Sequence, residues 1–282
     1  MMVTKAISVT ESLPSGVRLA VISRCSHSSR SEDSDYVAEE AAVALVYNGI
    51  SYAVMMATPQ QLEAFGLGFS ISEGLIDSVA DLYDISVQHH DTGYEIRMTV
   101  ASRCETLIKQ SRRRMAGRTG CGICGQQALA LATPEAYAAT ASLKPLPNLA
   151  ALQRAIIKLD ENAPLRALTG ALHGVAWCDN NGDIKYFCED IGRHNALDKV
   201  IGLVAKQGQN PAQGFVVLSS RASYEMVVKS MRIGFTTVVA VSAATALAID
   251  LARQANINLL GFVRRGQHVV YHGLSNVEES DE

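Results

Sequence analysis

No apolar run in this 282-residue chain reaches membrane-spanning length without a Gly, Ser or charged interruption, so no helix is expected to cross a bilayer. The amino terminus has no basic, apolar, small-residue signal pattern, which leaves the cytoplasm as the expected location. Neither sign of charge is in excess. The formal net charge is −3, and Lys and Arg cluster only at Arg112–Arg118 and Arg264–Arg265, which argues against nucleic acid as a partner. Cysteine is scarce as well: Cys25, Cys104, Cys121, Cys124, Cys178 and Cys188 are too few for a disulfide scaffold in a chain this long. Cys178 and Cys188 sit in apolar runs and are expected to be buried. Cys25 lies in a polar stretch and Cys104 beside Arg103, so neither has a functional case. With 48% hydrophobic, 19% charged and 6% aromatic residues, the chain can build one large or two modest domains.

Residues 1–35 end in the polar run SRCSHSSRSEDSD, which predicts a disordered or loosely attached tail. From 36 to 103 the pattern is that of a small α+β domain. The pair Asn48-Gly49 inside the apolar stretch Val43 to Met56 is a hairpin signal, because both turn residues tolerate positive φ. Thr58 and Pro59 read as the cap and first turn of a helix carrying Leu62, Phe65, Gly66 and Phe69 toward Gly74. A second hairpin is expected from Asp84–His90 and Tyr94–Val100 about Asp91-Thr92-Gly93. Residues 104–147 form a basic, glycine-rich connector with an Ala-rich part. From 148 to 275, helical and strand patterns alternate, which predicts crossover units and a mostly parallel sheet covered on both faces. Residues 276–282 are an acidic tail.

The connector holds the densest chemistry, GRTGCGICG at Gly117–Gly125. Four glycines in nine residues leave Cys121 and Cys124 open to a partner, and Arg112, Arg113, Arg114 and Arg118 favour the thiolate, which is the nucleophilic form. Structural zinc would need a second pair of ligands, and there is no second C-x-x-C. A thioredoxin-like dithiol would sit between a strand and a helix rather than after a basic, glycine-broken stretch. A persulfide carrier, swinging between sulfur donor and acceptor, suits the glycines best.

Ligands of open α/β sheets bind beyond the carboxyl ends of the strands. Those ends carry Ser219, Ser220, Arg221 and Ser223 after one strand, Ser242 and Thr245 after the next, and Arg264-Arg265-Gly266-Gln267 after the third. Serines at helix starts with nearby guanidinium groups fit phosphate oxygens, although Ser242 and Thr245 alone fit ordinary helix capping equally well. Glu189, Asp190, Arg193 and His194 converge at another strand-to-helix junction, where a capped helix with Glu189 paired to Arg193 is the simple reading. His173 reads as a core histidine, and His89 and His90 as surface residues.

With VAEEAAVALVYNGISYAVMMATP, LGFSISEGLI, AGRTGCGICG, EDIGRHNALDK and SSRASYEMV in one order, the chain resembles the formate dehydrogenase accessory sulfurtransferase family over roughly Val37 to Tyr271. The resemblance implies a sulfurtransferase required for formate dehydrogenase activity. Cys121 would accept sulfur from a cysteine desulfurase as a persulfide, with Cys124 as a relay or resolving thiol. The sulfur would pass to the molybdenum cofactor, bis-molybdopterin guanine dinucleotide, before its insertion into the formate dehydrogenase catalytic subunit. The cofactor-binding segment of the family matches Phe262, Val263, Arg264, Arg265, Gly266 and Gln267, with guanine nucleotides as expected analogues. Some members carry a Lys-Pro pair where this chain has Arg264-Arg265. The resemblance also implies a homodimer and a three-layer C-terminal α/β domain similar to the cytidine deaminase fold. Zinc deaminases precede their C-x-x-C with proline and an H-x-E or C-x-E pair. Here Gly120 precedes Cys121, so neither that chemistry nor a metal is expected. The competing reading is a non-catalytic chaperone of the same cofactor.

Overall fold

The Asn48-Gly49 turn forms as its chemistry requires, with φ of 47° and 77° joining β3 (Ala41–Tyr47) to β4 (Ile50–Ala57). In this computed structural model, which describes residues 13–116 and 143–273, two strands precede that hairpin. They are β1 (Val17–Cys25) and β2 (Arg30–Ala38), paired antiparallel along their whole length. They correct the expectation of a disordered or loosely attached tail to residue 35. A polar sequence can form this ribbon because its backbone bonds need no apolar face. Most of its side chains stay in solvent, and only Val17, Tyr36 and Ala38 pack at its base, against Leu165 and Leu172.

β5 (Leu82–His90) and β6 (Gly93–Val100) complete a four-stranded sheet in the order β4-β3-β6-β5. Alternate residues Val43, Leu45 and Tyr47 on β3, and Ile96, Met98 and Val100 on β6, are buried. They face α1 (Leu62–Ser72), whose residues other than Glu63 are all buried. A helix apolar all round belongs between two layers. It begins at Leu62, after Gln61 in the left-handed region at φ 53°, and not at the expected Thr58-Pro59 cap. Thr58 serves another purpose, described below.

The chain leaves the small sheet through α2 (Ser102–Ala116) and is described again from residue 143. α3 (Leu149–Glu161) and α4 (Pro164–Thr169) lead into β7 (His173–Asp179) and β8 (Ile184–Asp190). Then α5 (Arg193–Lys206), β9 (Gly214–Leu218), α6 (Tyr224–Ile233), β10 (Thr237–Ala240), α7 (Ala246–Gln254), β11 (Asn258–Arg264) and β12 (Gln267–His272) follow in the alternation the sequence predicts. The sheet order is β12-β11-β10-β9-β7-β8. It is more mixed than expected: β9, β10 and β11 are parallel, whereas β7 runs antiparallel to β8 and β9, and β12 antiparallel to β11. The predicted three-layer α/β architecture is present. Ala176, Cys178, Phe215, Val217 and Leu260 pack on α3, and Val175, Trp177, Val216, Leu218 and Leu259 belong to the core on the other face.

That second core does not stop at the predicted boundary near residue 103. It runs from Phe65 and Phe69 of α1 to Leu197 and Val200 of α5 and Met226 of α6. The helices approach so closely that a Cβ at Gly68 would stand 1.7 Å from the Asp198 carbonyl oxygen, and one at Gly202 1.9 Å from that of Ala64. Only glycine permits this crossing.

Two buried ion pairs lock the same joint. Lys199 Nζ lies 2.7 Å from Asp190 Oδ2, and neither side chain is exposed. Asp190 also accepts from the backbone of Thr58 at 3.1 Å and Gly192 at 2.8 Å, and Lys199 donates to the Thr58 carbonyl at 3.0 Å. Thr58 Oγ1 in turn accepts from the Ile191 N–H. Asn195 donates to the Met56 carbonyl at 2.8 Å, so the end of β4 is stapled to the end of β8. In the second pair, Lys229 of α6 reaches both Asp198 oxygens at 3.0 Å, with Ser72 and Glu73 of α1 at 2.8 Å. Breaking a buried pair strands a charge, so Asp190→Ala should cost about 3–5 kcal/mol. Removing both partners, Asp190→Leu with Lys199→Met, should cost less than the sum of the two single changes. Urea unfolding of the wild type, Asp190→Ala, Asp190→Leu, Lys199→Met and the double variant measures both effects. A wild-type midpoint for Asp190→Ala would refute the assignment.

Candidate functional site

Cys121 and Cys124, with Arg118, lie outside the described residues. What is described is the root from which their segment departs. The first turns of α2 are held to the four-stranded sheet: Asn48 Nδ2 bonds the Val100 carbonyl at 3.0 Å and Glu105 at 3.1 Å, while Cys104 and Ile108 are buried. The chain returns with the Lys144 carbonyl accepting from Asn258 Nδ2 at 2.9 Å, at the amino end of β11. The other thiols fit the quiet roles expected of them. Burial pushes Cys178 and Cys188 up to about 12, and raises Cys104 as well.

At the opposite end of β11 stands the predicted phosphate segment. Phe262 adopts φ 50°, an outlier for a bulky residue, where the β11–β12 register shifts. Its N–H still donates to the Ser242 carbonyl at 3.0 Å, and its ring is 40% exposed. Val263 is buried beneath it. Arg264 pairs with Gln267 across a turn in which Gly266 takes φ 82°, and both Arg264 and Arg265 are exposed. Phe262, Arg264 and Arg265, all exposed, thus lie at the carboxyl end of β11.

Along the same edge the serines divide. Ser219 Oγ accepts from the Gly174 N–H at 2.9 Å, and Ser220 Oγ donates to the Arg221 carbonyl at 3.1 Å, so both hydroxyls have protein partners. Thr245 caps α7 through the Ala248 N–H, as the capping reading had it. Ser223 differs: it is the N-cap residue of α6, yet among the described residues its hydroxyl makes no cap bond and is buried without a partner. Arg221 beside it is exposed.

The Glu189–His194 junction is built differently from the simple reading. Glu189 does not pair with Arg193. Its carboxylate accepts from the Leu165 and Arg166 N–H groups at 3.1 and 2.7 Å, closing the start of α4, and its pKa is raised, first by burial. Asp190 belongs to the buried joint. His194 Nε2 lies 2.8 Å from Glu225 Oε2, so the carboxylate faces the imidazole. A cleft of about 390 Å³ opens there between α1, α5 and α6, lined by Met55, Phe69, His194, Tyr224 and Lys229 among others. In the deeply buried Lys229–Asp198 pair, the carboxylates of Asp198 and Glu73 outweigh burial and raise the lysine, while burial raises Asp198 against the pull of Lys229. Lys229 and Thr58 carry this joint without any motif signal. Their helix-face position and their place after a strand would mark Lys229 as amphipathic stem and Thr58 as a cap.

His268 and His272 have H-x-x-x-H spacing, which would join two ligands on a helix. They lie on β12, where four residues span about 13 Å. Among the described residues no group of three or more His, Cys, Asp and Glu is placed to hold a metal.

His173 and His194 both have pKa values lowered from 6.5, chiefly by burial. A depressed histidine means the unfolded chain binds protons more readily, so stability is full above 6.5 and falls as pH drops through that value. Glu189, raised from 4.5, acts with the opposite sign at lower pH. We expect the melting temperature to decline between about pH 7 and 5, and a His173→Asn, His194→Asn variant to decline less. Parallel curves for the two proteins would show that these imidazoles do not govern the slope.

The chain as a whole has relatives among known proteins. Proteins named "Sulfur carrier protein FdhD" are similar: that of Cupriavidus necator is 47% identical over 239 residues, 84% of this chain and 82% of its own length. That of Chromobacterium violaceum is 46% identical over 258 residues, 90% and 94% of the two chains. A crystal structure described as a putative formate dehydrogenase accessory protein from Desulfotalea psychrophila shares the fold, with a TM-score of 0.72 at 22% identity over 91% of this chain and 97% of that one. Residues 38–278 match the FdhD/NarQ family, and with relatives this similar across most of the chain, the protein belongs to that family.

Proposed function

We propose that the protein is a sulfur carrier for formate dehydrogenase maturation, with Cys121 as the persulfide-bearing residue. The observation that carries this reading is the C-x-x-C pair in its glycine-rich, basic setting, within a chain whose relatives at 44–47% identity are named sulfur carriers. The Cys121 thiolate attacks the outer sulfur of a persulfide on a cysteine desulfurase. The donor S–S bond breaks, the donor cysteine leaves as a thiolate, and Cys121 carries the outer sulfur as its own persulfide. Arginines at 112–118 stabilise the thiolate in both states. Cys124 is close enough in sequence to act as a relay or resolving thiol.

The acceptor in this reading is the molybdenum cofactor, bis-molybdopterin guanine dinucleotide, bound as substrate at the carboxyl edge of the large sheet before insertion into formate dehydrogenase. Phe262 offers a face for a guanine base, and Arg264 and Arg265 offer donors to phosphate oxygens, with Gly266 letting the turn approach closely. Arg221 and Ser223 extend the donor set toward β9, and Ser219, Ser220 and Ser242 contribute more through the backbone they hold than through free hydroxyls. A homodimer and a cytoplasmic location belong to the same proposal.

Intact-protein mass after incubation with a cysteine desulfurase and cysteine tests the first half. One added sulfur atom, removed by reductant and absent in Cys121→Ala, is expected, whereas nucleotide binding with no adduct would favour a cofactor chaperone. Cys124→Ala should keep the adduct and slow its transfer. For the second half, Arg264→Ala with Arg265→Ala should weaken GDP binding by roughly tenfold or more, since a charge-assisted hydrogen bond is worth about 1.5–3 kcal/mol. Persulfide loading should survive that change. Unchanged GDP affinity would reduce these arginines to surface charges.

A further inference from the structure

The cleft between α1, α5 and α6, about 390 Å³, is of a size that takes small molecules, and among the described residues none from the β11 turn lines it. Its lining divides into carbon and charge. Met55 of β4, Phe69 of α1, and Tyr224 and Val228 of α6 supply the carbon surface.

Lys229 closes the floor to anions. Its side chain is 9% exposed, and its ammonium donates to Ser72 and Glu73 at 2.8 Å and to both Asp198 oxygens at 3.0 Å, while lying 5.3 Å from the centre of the Phe69 ring. An ammonium has three N–H bonds, and these partners take all of them. Arg232 is laid against Gly74 after the end of α1, where a Cβ on that glycine would stand 1.8 Å from Arg232 Nη1.

Acceptors, in contrast, face the opening. The side chains of Glu73 and Glu225 are 41% and 64% exposed. Glu73 meets Lys229 through Oε1, and Glu225 meets His194 through Oε2, so each carboxylate keeps a second oxygen without a hydrogen bond to another described residue. Burial holds the His194 imidazole below its ordinary 6.5, so at neutral pH it brings no charge to offset Glu225. Glu225 and Lys229 are one turn apart on α6, about 6 Å along its axis, and Glu73 is bonded to Lys229. The two carboxylates therefore mark the ends of one helical turn, with Val228 of that turn in the cleft wall.

We propose that this cleft binds a small organic cation, an ammonium or guanidinium group on a short aliphatic stem, with the head group on Glu225 and the stem on Met55, Phe69 and Val228. A second head group, where the ligand has one, falls to Glu73. Binding makes and breaks no covalent bond. The free carboxylate oxygens set the sign of charge, and the carbon walls favour an alkyl stem over a hydrated ion. Neither Cys121 nor the Arg264-Arg265 turn takes part, so the site stands or falls apart from the sulfur-carrier reading.

The test uses the full-length protein with agmatine, which has a cation at each end of an aliphatic stem. With methionine methyl groups labelled by carbon-13, the Met55 resonance should move on titration. Calorimetry should give an affinity that falls with added salt, and Glu225→Gln should lose at least about tenfold. Succinate, a short stem with a carboxylate at each end, should leave Met55 still. A Met55 resonance unmoved by agmatine, succinate binding as tightly as agmatine, or wild-type agmatine affinity in the Glu225→Gln protein would overturn the site. Glu225 stands exposed at the rim, and the Met55 titration needs no variant, so a folding defect cannot hide the answer. A blocked arginine peptide that bound more tightly than agmatine would overturn the small-molecule assignment and give the cleft to a partner's side chain.

Discussion

Two ammonium groups and two carboxylates lie buried where the small sheet meets the large one, and a buried charge tolerates almost no displacement of its partner. Lys199 must keep Asp190, and Lys229 must keep Asp198, so the end of β4, helix α1 and the starts of α5 and α6 hold one relative placement. Hydrophobic burial supplies most of the driving force for the shared core, but it is non-directional and would allow helices to slide. The ion pairs and the Gly68–Gly202 crossing remove that freedom.

This joint explains why the EDIGRHNALDK segment is so polar for a strand-to-helix junction. Asp190, Asn195, Asp198 and Lys199 are structural: their oxygens and nitrogens are spent on Met56, Thr58, Ser72 and Lys229. Arg193 and His194 open α5 directly after that rigid turn, at the carboxyl end of β8.

The connector and the edge are likewise arranged by the fold. α2 departs from the four-stranded sheet, whereas the chain returns beside Asn258 at the amino end of β11. Arg264 terminates the same strand about 20 Å away. The segment with the two cysteines thus has its two anchors in different layers, and its return anchor lies across the sheet from the candidate phosphate turn.

Local chemistry made much of this legible in the sequence. The Asn48-Gly49 hairpin, the alternating elements from Leu149 to His272 and the buried Cys178 and Cys188 follow from backbone preferences and periodicity, which act over a few residues. The FdhD/NarQ kinship was readable too, because long strings such as GRTGCGICG are specific. What the tertiary structure decided depends on groups far apart in the chain. Thr58 reads locally as a helix cap, yet Asp190, 132 residues away, takes its N–H. Glu189 reads as a partner for Arg193, yet two amides of α4 are better placed to bind it. The ribbon of β1 and β2 forms from a run whose composition suggests disorder, because paired backbones need no apolar side chains. Which buried polar atoms remain without a partner among the described residues, Arg193 Nε and Ser223 Oγ for example, is a property of the packed whole, since a side chain's satisfaction depends on everything folded around it.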